Sequence, residues 1–169
     1  MRVSDMLAMI IAVLAPAPIV AQQQARQPCA APEYRQFDFW VGSWKVFNPQ
    51  GQEVGTNTID AVLGGCALHE QWRGSGGSRG FSYNIFDRTS GRWHQTWVSN
   101  NGLLLVLEGG LVDGRMVLKG TTADSGGTVT LNRITWTPIS PDSVRQHWER
   151  SSDGGTTWSV AFDGTYVRQ

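Results

Sequence analysis

From residue 41 onward the chain meets a turn signal at the end of every short segment. NPQGQ at 48–52, GG at 64–65, GSGGS at 74–78, DRTSG at 87–91, NNG at 100–102, DG at 113–114, DSGG at 124–127 and DGG at 153–155 punctuate it. Gly, Asn-Gly and Asp-Gly supply the positive-φ positions that tight turns need. The segments between them are rich in β-branched and aromatic residues and alternate apolar with polar positions, the period of a half-buried strand. The pattern predicts about ten strands joined hairpin to hairpin. It leaves no room for the helical crossovers of a dozen or more residues that parallel sheets require. A meander this long carries two unpaired edges unless it closes. The expected fold is therefore all-β, an antiparallel up-and-down barrel of about ten strands, with a two-sheet β-sandwich as the alternative. No long repeat of fixed period is present, which argues against a propeller.

Residues 37–47, FDFWVGSWKVF, put five aromatic rings just ahead of and inside the first strand. In a barrel such a cluster is the natural plug. Phe37, Phe39 and Trp44 are expected to cap the closed end, with Gly42 letting the chain bend into strand one. Later, Pro138, Pro141 and Asp142 are expected to end strand eight (128–137). Strand ten is expected over 156–162, with a short tail at Tyr166 and Val167.

Residues 1–21 have one Arg near the start, an apolar run broken by Pro16 and Pro18, and a small residue, Ala21, before a polar QQQ. That is the layout of a secretory signal peptide, and its prolines suit an export signal better than a permanent span. The expected organisation is a signal peptide at 1–21, a polar arm at 22–36 and a β-barrel domain at 37–169, in a periplasmic or secreted protein with no stable membrane span after cleavage. Cys29 and Cys66, 37 positions apart, are the two cysteines of the chain and suit a single disulfide in an oxidising compartment. Acidic and basic residues number 14 each, so no field of one sign exists to hold a nucleic acid.

Alternation sorts the strand residues onto two faces. The more apolar faces carry Glu70 and Trp72 in strand three; Trp93, Gln95 and Trp97 in strand five; Asn132 in strand eight; and Gln146, Trp148 and Arg150 in strand nine. A tryptophan-walled interior with a few hydrogen-bonding groups is the usual make-up of a small-molecule site. A Glu70–Arg150 pair would read an anionic or amphipathic ligand. The same polar residues also suit a satisfied internal network or a wet rim. His69, His94 and His147 fall on the more polar faces, and no metal-binding spacing occurs. GxSxG and a phosphate-binding loop are both missing, and no cofactor is predicted. The expected function is an exported, non-catalytic binding or carrier protein for a small hydrophobic or amphipathic molecule. A haem protein, an enzyme on a small secreted substrate, and a filled barrel acting as an interaction module are the alternatives.

Two resemblances add to this. Residues 151–158, SSDGGTTW, resemble the Asp-box of sialidase-like propellers through Ser151, Asp153, Gly155, Thr157 and Trp158. The resemblance implies a hairpin turn with the Asp tied to the loop backbone and the Trp packed beneath. More broadly, FDFWVGSWKVF, GGCALHEQW, YNIFDRTSGRW and VRQHWERSSDGGTTW resemble the bacterial domain of unknown function 1579, a lipocalin-like (calycin) family. That implies a barrel, often behind a signal peptide. Gly42-Ser43-Trp44 is similar to the G-x-W signature of lipocalins, which implies that Trp44 plugs the closed end. Nitrobindins and fatty-acid-binding proteins are more distant relatives in shape. The nitrobindin likeness implies haem held by a histidine from a late strand, for which His147 is the weak candidate, although alternation sets it on the outer face.

Overall fold

The computed structural model describes residues 28–169; the expected signal peptide and the start of the arm lie outside the described residues. The strands are β1 (Gly42–Phe47), β2 (Glu53–Val62), β3 (Ala67–Gly74), β4 (Arg79–Asp87), β5 (Arg92–Ser99), β6 (Leu104–Val112), β7 (Arg115–Ala123), β8 (Val129–Ser140), β9 (Ser143–Ser151) and β10 (Ser159–Arg168). Each pairs antiparallel with the next, and β10 returns to β1 through Trp44↔Arg168 to Phe47↔Thr165. The ten strands form one closed antiparallel barrel of lipocalin-like shape, so no sheet edge is left unpaired.

Two strand boundaries differ from expectation. β8 does not stop before Pro138 but continues to Ser140. The ladder to β9 shifts register between Pro138 and Ser140, so an imino nitrogen is tolerated where the pairing is already broken. β10 starts at Ser159 and runs unbroken to Arg168, because residues 156–158 belong to the preceding turn. Gly164 sits inside this strand rather than ending it. A Cβ there would stand 2.6 Å from the Phe162 ring and 2.9 Å from Val46. The position is glycine because an inward ring lies over it.

One end of the barrel is filled. Two 3-10 turns, Pro32–Arg35 and Asp38–Trp40, carry the chain across the opening before β1 begins. Phe37, between them, stacks on Trp40 with centroids 4.9 Å apart and meets Trp136 and Trp93 edge-on at 5.2 and 5.6 Å. Trp44 donates its indole N–H to the Trp40 carbonyl at 2.9 Å. Phe37, Trp40 and Trp44 are all 0% exposed, each contributing on the order of 2–3 kcal/mol by burial. Phe39 stands only partly buried at the margin, so Trp40 takes the place expected for it. Gly42 adopts φ +144°, and a side chain there would collide with the Arg168 guanidinium.

The later part of the arm packs against the barrel. A disulfide joins Cys29 to Cys66, and Tyr34 is buried edge-on against Phe86 at 5.5 Å. The Trp93 indole N–H donates to Gln36 at 3.2 Å.

Candidate functional site

The opposite end is open. A cavity of about 620 Å³ runs inward from the loops around Asn48, Ser78 and Asn100 down to Glu70 and Tyr166. Its walls are Trp72, Trp97, Trp148 and Phe162, with Leu105 beside Trp97 and Ile134 beside Trp148. Four large rings would ordinarily fill a small barrel. Three of them lie close over glycines: Trp97 over Gly80, Trp72 over Gly55 and Phe162 over Gly164. A Cβ at Gly80 would overlap the Trp97 indole, and one at Gly55 would stand 2.8 Å from Trp72. Trp72 also meets Phe162 edge-on at 5.9 Å and donates to Ser78 Oγ at 3.1 Å. Trp148 is held by its indole N–H, which donates to Asn132 Oδ1 at 3.0 Å.

The floor is polar. Glu70 of β3 lies opposite Ser82 of β4, and the Ser82 hydroxyl donates to its Oε2 at 2.6 Å. Asn57 of β2 donates to Glu70 Oε1 at 2.7 Å and to the Tyr166 hydroxyl at 3.2 Å. Tyr166 in turn donates to Gln146 Oε1. Asn84 and Gln95 donate to Ser82 Oγ at 2.9 and 3.4 Å, which leaves its single proton for the carboxyl. Six strands thus converge on one carboxyl group, and every donor that reaches it is neutral. Burial pushes the Glu70 carboxyl up from its ordinary 4.5 to about 7, against the Ser82 and Asn57 hydrogen bonds that hold it down. Tyr166 is raised well above its ordinary value by burial, and then by the charge of Glu70. Two acceptors of this network, Asn57 Oδ1 and Asn84 Oδ1, are buried without a donor.

Of the nine lumen residues expected from alternation, Glu70, Trp72, Gln95, Trp97, Gln146 and Trp148 line the cavity. Trp93 shares their face but lies in the closed-end plug. Asn132 is buried behind Trp148, bonded to Thr122 and Thr130 as well. Arg150 is exposed, with its guanidinium 5.9 Å from the Trp148 ring centroid, and forms no pair with Glu70. Glu70 takes Asn57 and Ser82 instead. Those two, with Tyr166 and Phe162, are the site residues that sequence reasoning missed. Ser82 has Gly80 and Asn84 beside it on its own face, so nothing apolar marks that face as inward, while Asn57 shares its face with Gly55 on one side and Ile59 on the other. Tyr166 lies beyond the strand expected over 156–162, and Phe162 is the last residue of it, with no inward neighbour after it to set its face.

The histidines all stand on the outer face. His69 stacks on Tyr83 at 4.8 Å, His94 bonds Thr96 Oγ1 at 2.8 Å, and His147 lies 3.5 Å from Asp163 and 3.8 Å from Glu149. His147, the weak haem candidate, therefore does not face the lumen. No cluster of three or more His, Cys, Asp or Glu side chains suited to a metal ion occurs among the described residues. At the β9–β10 turn the Asp153 carboxylate accepts from the Thr157 N–H at 2.9 Å and its hydroxyl at 2.6 Å. Those bonds, and the one from Ser151, hold its carboxyl well below the usual range. Trp158 donates to Gly155 O at 3.0 Å under the Arg133 guanidinium. This hairpin closes on itself and contributes no wall to the cavity.

Fold and cavity together define a lipocalin-like barrel with one plugged and one open end, a shape compatible with ligand binding. No protein-family model matches the chain, and no curated protein matches it significantly.

Proposed function

We propose that the protein is an exported, non-catalytic carrier that takes a small amphipathic molecule into the lumen, apolar body between the tryptophans and polar end on the floor. The observation that carries this reading is the cavity itself. Its volume of about 620 Å³ lies within the roughly 300–1,000 Å³ of small-molecule sites, and its walls are apolar rings over a small polar floor. Haem binding lacks support from the lumen wall, since the three imidazoles face outward.

Export is supported by the signal-like layout of residues 1–21 and by the Cys29–Cys66 disulfide, which suits an oxidising compartment. Membership in the family of unknown function 1579 is supported by the four quoted motifs: they supply the closing aromatics, the strand carrying Glu70, the β4–β5 hairpin and the β9–β10 hairpin. Native mass spectrometry of protein purified from its own host tests the carrier reading. A co-purifying organic mass that leaves on denaturation is the expected result. A bare chain that also takes up no amphipathic probe in vitro would overturn it.

A further inference from the structure

Resting on the carrier reading, the chemistry of the floor narrows the ligand class. We propose that the molecule held in the lumen carries a cationic head, a protonated amine on an apolar body, and that Glu70 receives that head.

The argument starts from what surrounds the carboxyl. Glu70 is 4% exposed, lines the cavity, and makes no ion pair among the described residues. Its protein partners are one amide and one hydroxyl. Two neutral hydrogen bonds orient a buried carboxylate without cancelling its charge, which is costly in a low-dielectric interior. The cation nearest along β4 is Arg79, three positions from Ser82 and on the opposite phase of the strand, at the rim. Glu70 thus has no counter-ion in contact with it, and Arg79, the cation among the lining residues, stands away at the rim. Behind the floor, Asn57 Oδ1 and Asn84 Oδ1 are buried and unpartnered, out of a ligand's reach, so Glu70 is the acceptor that the floor presents to the cavity with a charge. An ammonium brings three donors and no acceptor, along with the missing charge. Above it, the faces of Trp72, Trp97, Trp148 and Phe162 form the kind of wall on which organic cations are stabilised. A carboxylate head would meet Glu70 as a like charge and bring no donor. A neutral alcohol would satisfy one acceptor and leave the charge.

The test uses the full mature protein and three probes that share one alkyl chain: decylamine, decanol and decanoate. Each is titrated below its micelle threshold at pH 8, following tryptophan fluorescence and heat. Decylamine is expected to bind roughly tenfold or more tighter than decanol, with decanoate weakest. In Glu70→Gln the amine is expected to lose its advantage over the alcohol, so that decylamine and decanol bind within about twofold of each other. If all three bind alike, or decanoate binds best, the cationic-head assignment is wrong and the carrier reading stands. If none binds, both fall together. Should Glu70→Gln fail to fold, the head-group series on the natural protein decides the matter alone.

Discussion

The guanidinium of Arg168 lies over the indole of Trp44, 4.3 Å from the ring centroid. Arg168 is in the last strand and Trp44 in the first, and the two residues are register partners across the seam that closes the barrel. The same guanidinium donates to the Val41 carbonyl at 3.2 Å and the Pro141 carbonyl at 3.1 Å, so one side chain ties β10 to the chain entering β1 and to the β8–β9 turn. Arg168→Ala is expected to cost about 1–3 kcal/mol, through the lost cation–π contact and the orphaned carbonyls. Trp44→Ala, in the fully buried plug, is expected to cost about 3–5 kcal/mol. Urea denaturation checks both; equal and small losses would show that the seam is not held here.

The disulfide closes a loop between residues 37 positions apart and ties the arm beside the plug. Replacing Cys29 and Cys66 together by Ser is expected to lower stability by about 3–4 kcal/mol on the chain-entropy account. Intact mass before and after alkylation should show no free thiol in the natural protein. A protein with both thiols alkylated without reduction would refute the pairing.

Gly80 is the seat of the Trp97 ring. Gly80→Val supplies two methyl groups where the indole now lies and is expected to drive that ring into the lumen. Overpacking should cost about 1–3 kcal/mol. Uptake of an amphipathic probe should fall about tenfold while the circular dichroism of the barrel is kept. Unchanged uptake would mean that the open lumen does not depend on this close packing.

Stability should depend on pH through Glu70. Its carboxyl titrates near 7 in the folded chain and near 4.5 when ordinary, so between these values the folded state holds a proton that the unfolded chain has lost. The contribution is fully present below about 4.5 and is lost as pH rises through about 7, on the order of 3 kcal/mol at most. The groups facing it are Asn57, Ser82 and Tyr166, and of these only Tyr166 titrates, well above that window. Melting curves of the ligand-free protein should fall across this range, and Glu70→Gln should flatten the fall. A slope unchanged in the variant would assign the pH dependence to other groups.

Strand alternation and turn chemistry were enough to derive the all-β meander, its closure and most strand ends, because both are local properties of the backbone. Alternation also named the face on which Glu70, Trp72, Gln95, Trp97, Gln146 and Trp148 lie, and it placed the three histidines outside. It is blind to height along the barrel axis. Trp93 and Trp97 share a face, yet four residues of strand separate them by about 13 Å, enough to put one in the plug and the other at the mouth. Arg150 has the inward phase but lies at the rim, so it stays in water. Equally out of reach of any single strand's pattern are the contacts that register creates: Gly80 beneath Trp97, and Asn57, Ser82 and Tyr166 gathered around Glu70 from β2, β4 and β10. A residue's type and period choose its side of the sheet. The pairing of distant strands chooses its neighbours, and here those neighbours seat a ring over a glycine and gather neutral groups around a lone carboxyl group.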